Sequence, residues 1–278
     1  MPIHDDLGKR MKEFYESVPK TKLMRRTPVA IRIDGKAFHT FTRGFNKPFD
    51  YLLGTTMQRT MRYLCQNIQG CVFGFTQSDE ITLILVDYKQ LNSSAWFDYE
   101  VQKMCSIAAS MATMAFNKAF RKIVEDANFF WKTGLTPSSI EIQLEYQKYI
   151  ENLQAAGTKG AMFDARCFNI PKEEVTNLIY WRQLDAIRNS IQMVGQANFS
   201  HKELQGKSCE KIKEMLIAEK GISWEDLHPM YKHGSCCIKV TTETDGVTRS
   251  SWEIDKNIPL FVGEGREYIE SLIQCQEE

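Results

Sequence analysis

The stretch FGFTQSDEITLILV, residues 73–86, is apolar at both ends and is interrupted at Gln77-Ser78-Asp79-Glu80. Two short apolar runs separated by a compact polar break are typical of a tight β-hairpin. Asp79 and Glu80 are therefore expected at the tip of this hairpin. A solvated turn and the rim of a metal site both explain two acids at that place, and the hairpin alone does not decide between them.

The segments around this hairpin predict the fold. VAIRID (29–34) is expected to form a strand that ends at an acid, residues 51–69 have the apolar spacing of a helix, residues 97–126 form a long helix, and residues 162–170 form another strand. The resulting order of strand, helix, hairpin, helix and strand is the βαββαβ pattern of a ferredoxin-like unit. We therefore predict an α+β fold of the polymerase-palm type, with an antiparallel sheet and helices on one face.

The remainder of the chain is expected to be smaller and mainly helical. Pro171 suits the first turn of a helix, and Asp245-Gly246 lies between alternating segments that predict a second hairpin. We divide the chain into a palm-like catalytic core with a basic N-terminal helix, residues 1–170, and a helical and hairpin part packed on that core, residues 171–278.

The composition is that of a globular enzyme. Of 278 residues, 43% are hydrophobic and 25% are charged, and the 35 basic and 35 acidic residues cancel. No apolar run reaches the ~18 residues expected of a membrane-spanning helix, so no membrane contact is predicted. The charged N-terminal segment lacks the features of a secretory signal, which favours a cytoplasmic location. Eight cysteines without metal-binding spacing are expected to be reduced thiols rather than zinc ligands.

Charge is distributed unevenly along the chain. Residues 9–26 contain seven basic and two acidic side chains. A solvated helix face and a contact surface for RNA phosphates both explain this segment.

Two acids on neighbouring strands suggest a metal site. In the predicted topology the strand that ends at Asp34 lies beside the hairpin, so Asp34 and Asp79 converge at the centre of the sheet. Two close carboxylates repel each other unless a cation lies between them. Mg²⁺ suits such a site because it prefers oxygen ligands and shares its coordination shell with substrate phosphates. Two Mg²⁺ ions would activate an attacking oxygen and stabilise a leaving pyrophosphate, and the Gly35 carbonyl is a further candidate ligand.

The residues near the two acids are suited to a nucleoside triphosphate. A basic loop follows Asp34, and Ser78 is placed to donate a hydrogen bond to a phosphate. A simple Asp-Gly turn and a buried, satisfied histidine are the alternatives for the individual residues. The candidate nucleotide contacts are Gly35, Lys36, Phe38, His39, Lys47, Ser78 and Glu80.

Five segments in a fixed order resemble the tRNA-His guanylyltransferase family. They are RIDGKAFHTF (32–41), NKPFD (46–50), GFTQSDE (74–80), MFDARCFNIP (162–171) and WRQLDAIRNS (181–190), within a resemblance that covers residues 5–240. This family adds nucleotides to the 5′ end of tRNA, in the 3′-to-5′ direction, on a palm-like catalytic domain.

The resemblance implies roles for individual residues. The family's metal-binding acids fall on Asp34 and Asp79, with the Gly35 carbonyl as a further ligand. Its triphosphate contacts fall on the loop that holds His39 and Lys47, and on Ser78. Glu80 matches the last acid of the motif. Arg166 matches a family arginine and is a candidate for holding nucleotide or RNA phosphate.

One departure from the family pattern predicts the subtype. Eukaryotic members continue the WRQ helix with a His and a Tyr at the positions of Ile187 and Gln192. Their replacement is similar to the bacterial and archaeal guanylyltransferase-like 3′–5′ RNA polymerases, which add template-matched nucleotides to 5′-truncated tRNA. The alternative is a tRNA-His guanylyltransferase that adds a single G at position −1.

The same resemblance implies two Mg²⁺ ions, ATP and GTP or other NTPs as substrates, tRNA as the partner, and a homotetramer built as a dimer of dimers. A cyclase that makes a cyclic dinucleotide and a non-catalytic RNA-binding protein are the rival functions. The candidate RNA contacts are Arg25, Arg26, Arg166, Arg182, Arg188, Asn189 and Lys232.

Overall fold

The computed structural model describes residues 6–132, 140–244 and 247–274. Six strands form one antiparallel sheet: β1 (Val29–Gly35), β2 (Cys71–Gln77), β3 (Glu80–Leu85), β4 (Phe163–Asn169), β5 (Ser235–Thr244) and β6 (Val247–Asp255). Their spatial order is β4-β1-β3-β2-β5-β6. The first four strands in this order are the ferredoxin-like sheet, so the predicted α+β palm fold is confirmed. The predicted Asp245-Gly246 turn and Cys275 lie outside the described residues.

Ten α-helices accompany the sheet in the described ranges. They are α1 (Asp6–Met11), α2 (Phe38–Phe41), α3 (Tyr51–Asn67), α4 (Val101–Lys132), α5 (Ile140–Lys159), α6 (Val175–Asn198), α7 (His201–Leu204), α8 (Cys209–Lys220), α9 (Pro229–His233) and α10 (Glu267–Ile273). None of the helices within these ranges is long and apolar enough to cross a membrane. The seven cysteines that fall within them are free thiols, as predicted.

The first face of the sheet carries the larger core. Alternate residues of β1, such as Ile31 and Ile33, point toward α3 and α4 and are fully buried there. Small residues let the long helix α4 lie close to this face, with Ala108 and Ala112 both fully buried.

The second face is also covered, which differs from the prediction of helices on one face only. Ala30 and Phe73 point toward this face, where they are buried beside Val175 and Ile179 of α6 and the C-terminal Phe261. Strand β5 pairs with β2 and β6 pairs with β5, so both strands extend the same sheet. The pattern along β2 could not show this, because Val175 lies 102 residues after Phe73 in the chain.

The N-terminal basic segment is only partly the helix that was predicted. Helix α1 ends at Met11 and continues as a π-helical turn over Lys12–Glu16, and none of these residues is buried. The chain then runs irregularly to β1.

Candidate active site

Asp34 and Asp79 lie next to each other at the end of the central strand pair. Asp34 is the penultimate residue of β1 and pairs in register with Glu80 at the start of β3. Asp79 lies in the two-residue loop between β2 and β3. The amide of Gly35 donates a hydrogen bond to the carbonyl oxygen of Asp79 at 3.1 Å. The backbone therefore holds both acids close together at the same end of strands β1 and β3, as the sequence predicts.

The surroundings of the two carboxylates oppose their negative charge. Burial raises the pKa of Asp34, and repulsion from Glu80 and Asp164 raises it further. Burial is also the main cause of the raised pKa of Asp79, to which the charge of Asp34 adds. Within residues 6–132, 140–244 and 247–274, no group donates a hydrogen bond to the Asp34 carboxylate. A bound cation would relieve this repulsion.

The candidate site offers few protein ligands for a metal ion. In the part of the chain that the structure describes, no group of three or more His, Cys, Asp or Glu side chains is arranged to hold a metal ion. Two carboxylates and the Gly35 carbonyl would leave most of the coordination sphere to water and substrate oxygens. This chemistry suits Mg²⁺, which keeps several waters and takes substrate phosphates as ligands.

A cleft opens beside the carboxylate pair. Its volume is about 510 Å³, and it is open to solvent on one side. This volume is ample for a nucleoside triphosphate. Its lining includes six of the predicted site residues, namely Gly35, Phe38, His39, Lys47, Ser78 and Asp79. Lys36 is exposed outside this lining, and its amide bonds to the Met162 carbonyl at 2.9 Å.

Two backbone conformations at this cleft are unusual for residues with side chains. Ala37 has φ 54° and Ser78 has φ 50°, both in the left-handed region. Such conformations cost on the order of 1 kcal/mol or more and are concentrated at functional sites.

The absence of a side chain at Gly35 leaves room for the Phe38 ring. A Cβ at this position would lie 2.3 Å from the Phe38 ring. Phe38 itself is 5% exposed and packs against Phe41, Phe116 and Phe163. This burial argues against a nucleotide contact of the Phe38 ring, although the residue also borders the cleft.

Asp50 organises the loop and was missed by the sequence analysis. Its side chain accepts hydrogen bonds from the amides of Asn46 and Leu53, at 3.1 and 2.9 Å, and from the Tyr149 hydroxyl at 2.8 Å. Asp50 thus caps α3 and holds residues 46–50 against the cleft. Its position directly before a helical pattern was the available signal.

Glu80 and Arg182 form a buried ion pair behind the hairpin tip. Both carboxylate oxygens of Glu80 accept from Arg182 at 2.7 Å, and Arg32 donates to the same carboxylate at 3.0 and 3.3 Å. Glu80 is 7% exposed and Arg182 is 6% exposed. This burial argues against the predicted nucleotide contact of Glu80 and the predicted RNA contact of Arg182. Together they attach the tip to α6.

The remaining candidate RNA contacts are dispersed. Arg25 and the amide of Arg26 bond to Asp87, at the opposite end of β1 from Asp34 and about 17 Å or more away. Arg166 is exposed on β4 beside Asp164. The other three lie around α6 and α9: Arg188 bonds Asp185, Asn189 bonds Asp185 and lines an apolar pocket behind Ser78, and Lys232 covers the ring of Trp224.

Comparisons with known proteins agree with this geometry. A family model described as Thg1, tRNAHis guanylyltransferase, matches residues 8–171. A solved structure of a bacterial tRNA(His) guanylyltransferase (Thg1)-like protein in complex with ATP shares 37% identity, covers 97% of this chain and 100% of that chain, and has a TM-score of 0.78. A second such structure, in complex with GTP, shares 35% identity over 96% of this chain and 99% of that chain, with a TM-score of 0.75. A probable tRNA(His) guanylyltransferase from Dictyostelium discoideum is 26% identical over 82% of this chain and 83% of the relative.

The fold is shared with these bacterial structures, and the family match makes this protein a nucleotidyltransferase. The chain belongs to the Thg1 family of tRNAHis guanylyltransferases. The family resemblance and the enzyme class that the sequence predicted are both confirmed.

Proposed function

We propose that this protein adds template-matched nucleotides to the 5′ end of 5′-truncated tRNA, in the 3′-to-5′ direction. The observation that carries the proposal is the convergence of Asp34 and Asp79 at the mouth of a cleft lined by His39, Lys47 and Ser78. ATP and GTP in the similar bacterial structures support a nucleotide in this cleft.

The reaction consists of two transfers at one site. In the first, the 5′-monophosphate of the tRNA attacks the α-phosphate of ATP, which forms an adenylylated 5′ end and releases pyrophosphate. In the second, the 3′-hydroxyl of the incoming NTP attacks the activated 5′ phosphate and releases AMP. Both transfers place negative charge where the protein must neutralise it, so positioning and electrostatics supply most of the catalysis.

The residues of the chain divide this work. Asp34, Asp79 and the Gly35 carbonyl would hold two Mg²⁺ ions. When bound, these ions would neutralise negative charge on the attacking and leaving oxygens. Lys47 and His39 bind the triphosphate from the loop, and Ser78 donates to a phosphate oxygen at the hairpin tip. Lys36 reaches the triphosphate from outside the cleft wall.

RNA is held through its backbone, because pairing with the template supplies the sequence information. Arg166 and Arg188 are exposed cations suited to phosphate contacts, Lys232 is a half-buried cation, and Asn189 borders the pocket behind the hairpin tip. Arg25 and Arg26 would contact a more distant part of the tRNA. We further propose the homotetramer that the family implies, and a cytoplasmic location.

A single-G addition at position −1 is the alternative. Ile187 and Gln192 favour the templated reaction. Ile187 is partly buried against the cluster around Ile191 and Trp224, and Gln192 is directed at Cys209 of α8. Both side chains therefore make contacts within the protein and are not available to an RNA end.

The test incubates the protein with Mg²⁺, ATP, labelled NTPs and 5′-monophosphorylated tRNA, either full length or lacking its first nucleotide. The base opposite the missing nucleotide is varied. We expect faster extension of the truncated tRNA, with an added nucleotide that follows the opposite base. Untemplated G addition confined to full-length tRNA-His would replace the proposal with the alternative.

Variants connect the reaction to the site. Asp34→Asn and Asp79→Asn are expected to abolish addition, whereas Asp126→Asn, an acid on α4 paired with Lys122, keeps it. Near-normal addition by either of the first two would refute the two-carboxylate assignment.

A further inference from the structure

Trp181 is an exposed aromatic residue that the proposed reaction does not yet use. Its side chain stands on α6 and is 51% exposed. The guanidinium of Arg182 lies 4.5 Å from the ring centroid, and that of Arg32 lies 5.3 Å from it. Among the described residues, Trp181 takes no part in the buried hydrophobic clusters. About half of a large aromatic surface therefore faces solvent beside two cations.

The position of this ring relative to the carboxylates is set by β1. Arg32 precedes Asp34 by two residues, about 6.6 Å, and points to the same face of the sheet. The nucleotide cleft begins after Asp34, at Gly35. Trp181 and the cleft therefore lie on opposite sides of the carboxylate pair.

The positions of residues along helix α6 also separate Trp181 from the cleft. Its residues Met193 and Gln196 line the cleft, and Trp181 lies twelve residues before Met193. At 1.5 Å per residue this separation is about 18 Å along the helix axis. One straight helix thus presents the cleft wall at one end and the exposed indole near the other.

A further cation lies on the neighbouring strand β4, on the same face of the sheet as Arg32. Arg166 of β4 pairs in register with Arg32 and is 57% exposed, with Asp164 as its ion-pair partner at 3.2 Å. An exposed aromatic ring beside arginines is the combination that binds unpaired nucleotides, because the ring stacks on a base while the cation neutralises its phosphate.

We propose that Trp181 is a stacking platform for a base at the acceptor end of the RNA substrate, with Arg166 next to the phosphate of that nucleotide. The inference rests on the proposed function, in which two substrates meet at Asp34 and Asp79. The triphosphate occupies the cleft on one side, so the RNA end approaches from the other side, where Trp181 is the exposed aromatic surface.

The experiment uses a 5′-monophosphorylated acceptor-stem hairpin that lacks its first nucleotide. The fluorescent base 2-aminopurine is placed in turn at the 5′-terminal position and at the unpaired position opposite the missing nucleotide. Stacking on an indole quenches this fluorophore, so titration with the full-length protein, without ATP, measures the contact directly. We expect quenching at one of the two positions.

Three variants separate stacking from simple apolar contact. Trp181→Leu is expected to weaken binding about tenfold and to remove the quenching, whereas Trp181→Phe keeps binding within about threefold. Leu184→Ala is the matched control, because Leu184 is 45% exposed one turn further along α6 and is not aromatic. Equal binding by the wild type and Trp181→Leu, or an equal loss in Leu184→Ala, would overturn the inference.

Kinetics distinguish this contact from a general loss of structure. Trp181→Leu should raise the KM for RNA while the KM for the NTP and the kcat at saturating RNA stay unchanged. A fall in kcat without a change in RNA binding would mean that Trp181 only supports Arg182, and would refute the platform. If the wild type quenches the fluorophore but adds no nucleotide to any RNA, the proposed function fails and the Trp181 contact stands.

Discussion

Folding raises the pKa of both Asp34 and Asp79, mainly through burial. The raised pKa of each carboxyl means that the folded state binds more protons than the unfolded chain between the ordinary and the raised pKa. Stability contributed by each protonated acid is therefore lost as pH rises through this interval, and the loss persists at neutral pH.

The first prediction follows from the upward direction of these two pKa shifts. In metal-free buffer at neutral pH, Asp34→Asn and Asp79→Asn should each melt at a higher temperature than the wild type. The difference should disappear below the ordinary aspartate pKa of about 3.9. Mg²⁺ should raise the Tm of the wild type more than that of either variant, because binding to the folded state is linked to stability. Thermal melts over a pH series measure this, and equal Mg²⁺ stabilisation of all three proteins would contradict the metal site.

The second prediction concerns Gly35. Alanine at this position brings a Cβ to 2.3 Å from the Phe38 ring, which three other phenylalanine rings hold in place. Overpacking of this kind costs about 1–3 kcal/mol, and it displaces the loop that lines the cleft. We expect Gly35→Ala to lower the free energy of unfolding by this amount and to remove most nucleotide addition.

Gly54 provides the control for this substitution. Its added Cβ would meet Met230 at an ordinary 3.7 Å, and the residue lies inside helix α3. Gly54→Ala should therefore be neutral or stabilising by about 0.5–1 kcal/mol. Equal stability of the two variants in urea denaturation would show that the Phe38 contact does not require glycine.

At the scale of secondary-structure elements, one ion pair joins the hairpin tip to α6. Arg182→Met leaves Glu80 buried with Arg32 as its remaining partner. Breaking a buried pair in this way costs about 3 kcal/mol or more. Arg188→Met is the matched control, because Arg188 also pairs with Asp185 but is exposed, so its loss should cost less than about 1 kcal/mol. Urea denaturation of both variants measures the difference, and indistinguishable midpoints would mean that the pair does not attach the hairpin to α6.

The elements themselves were largely predictable. The hairpin, the strand 162–170 and the helix that follows Asp50 have local patterns, with alternation in the strands and helical spacing in α3. The Glu80–Arg182 pair was not predictable, because 102 residues separate the two side chains and each has several possible partners of opposite charge. The sequence motif identified both residues but assigned them to substrate contacts.

For the whole molecule, we propose that the regions predicted as 1–170 and 171–278 unfold as one cooperative unit. Strand β5 completes the sheet next to β2, and Phe261 is fully buried against Phe73 and Phe75. The amide of Phe261 also donates to Gln183 at 2.9 Å.

Phe261→Ala should therefore cost about 3–5 kcal/mol and shift a single unfolding transition. The neighbouring Val262 is 50% exposed, so Val262→Ala should change the stability by less than about 0.5 kcal/mol. Calorimetry and urea denaturation test both variants. A second transition in Phe261→Ala, with part of the chain still folded, would instead support two independently stable regions.

The sequence by itself determined the order of the strands β1–β4 with the helices α3 and α4, the carboxylates at the ends of two strands, and the family, because these depend on local periodicity and on short ordered motifs. Tertiary structure alone decided the covering of the second sheet face, the pairing of β5 with β2, and the burial of Glu80, Arg182 and Phe38. It also placed the half-exposed ring of Trp181 next to Arg32 of β1. The physical reason is that burial and ion pairing depend on which distant surfaces meet. A local pattern shows that a residue can make a contact, but it does not determine which residue it contacts.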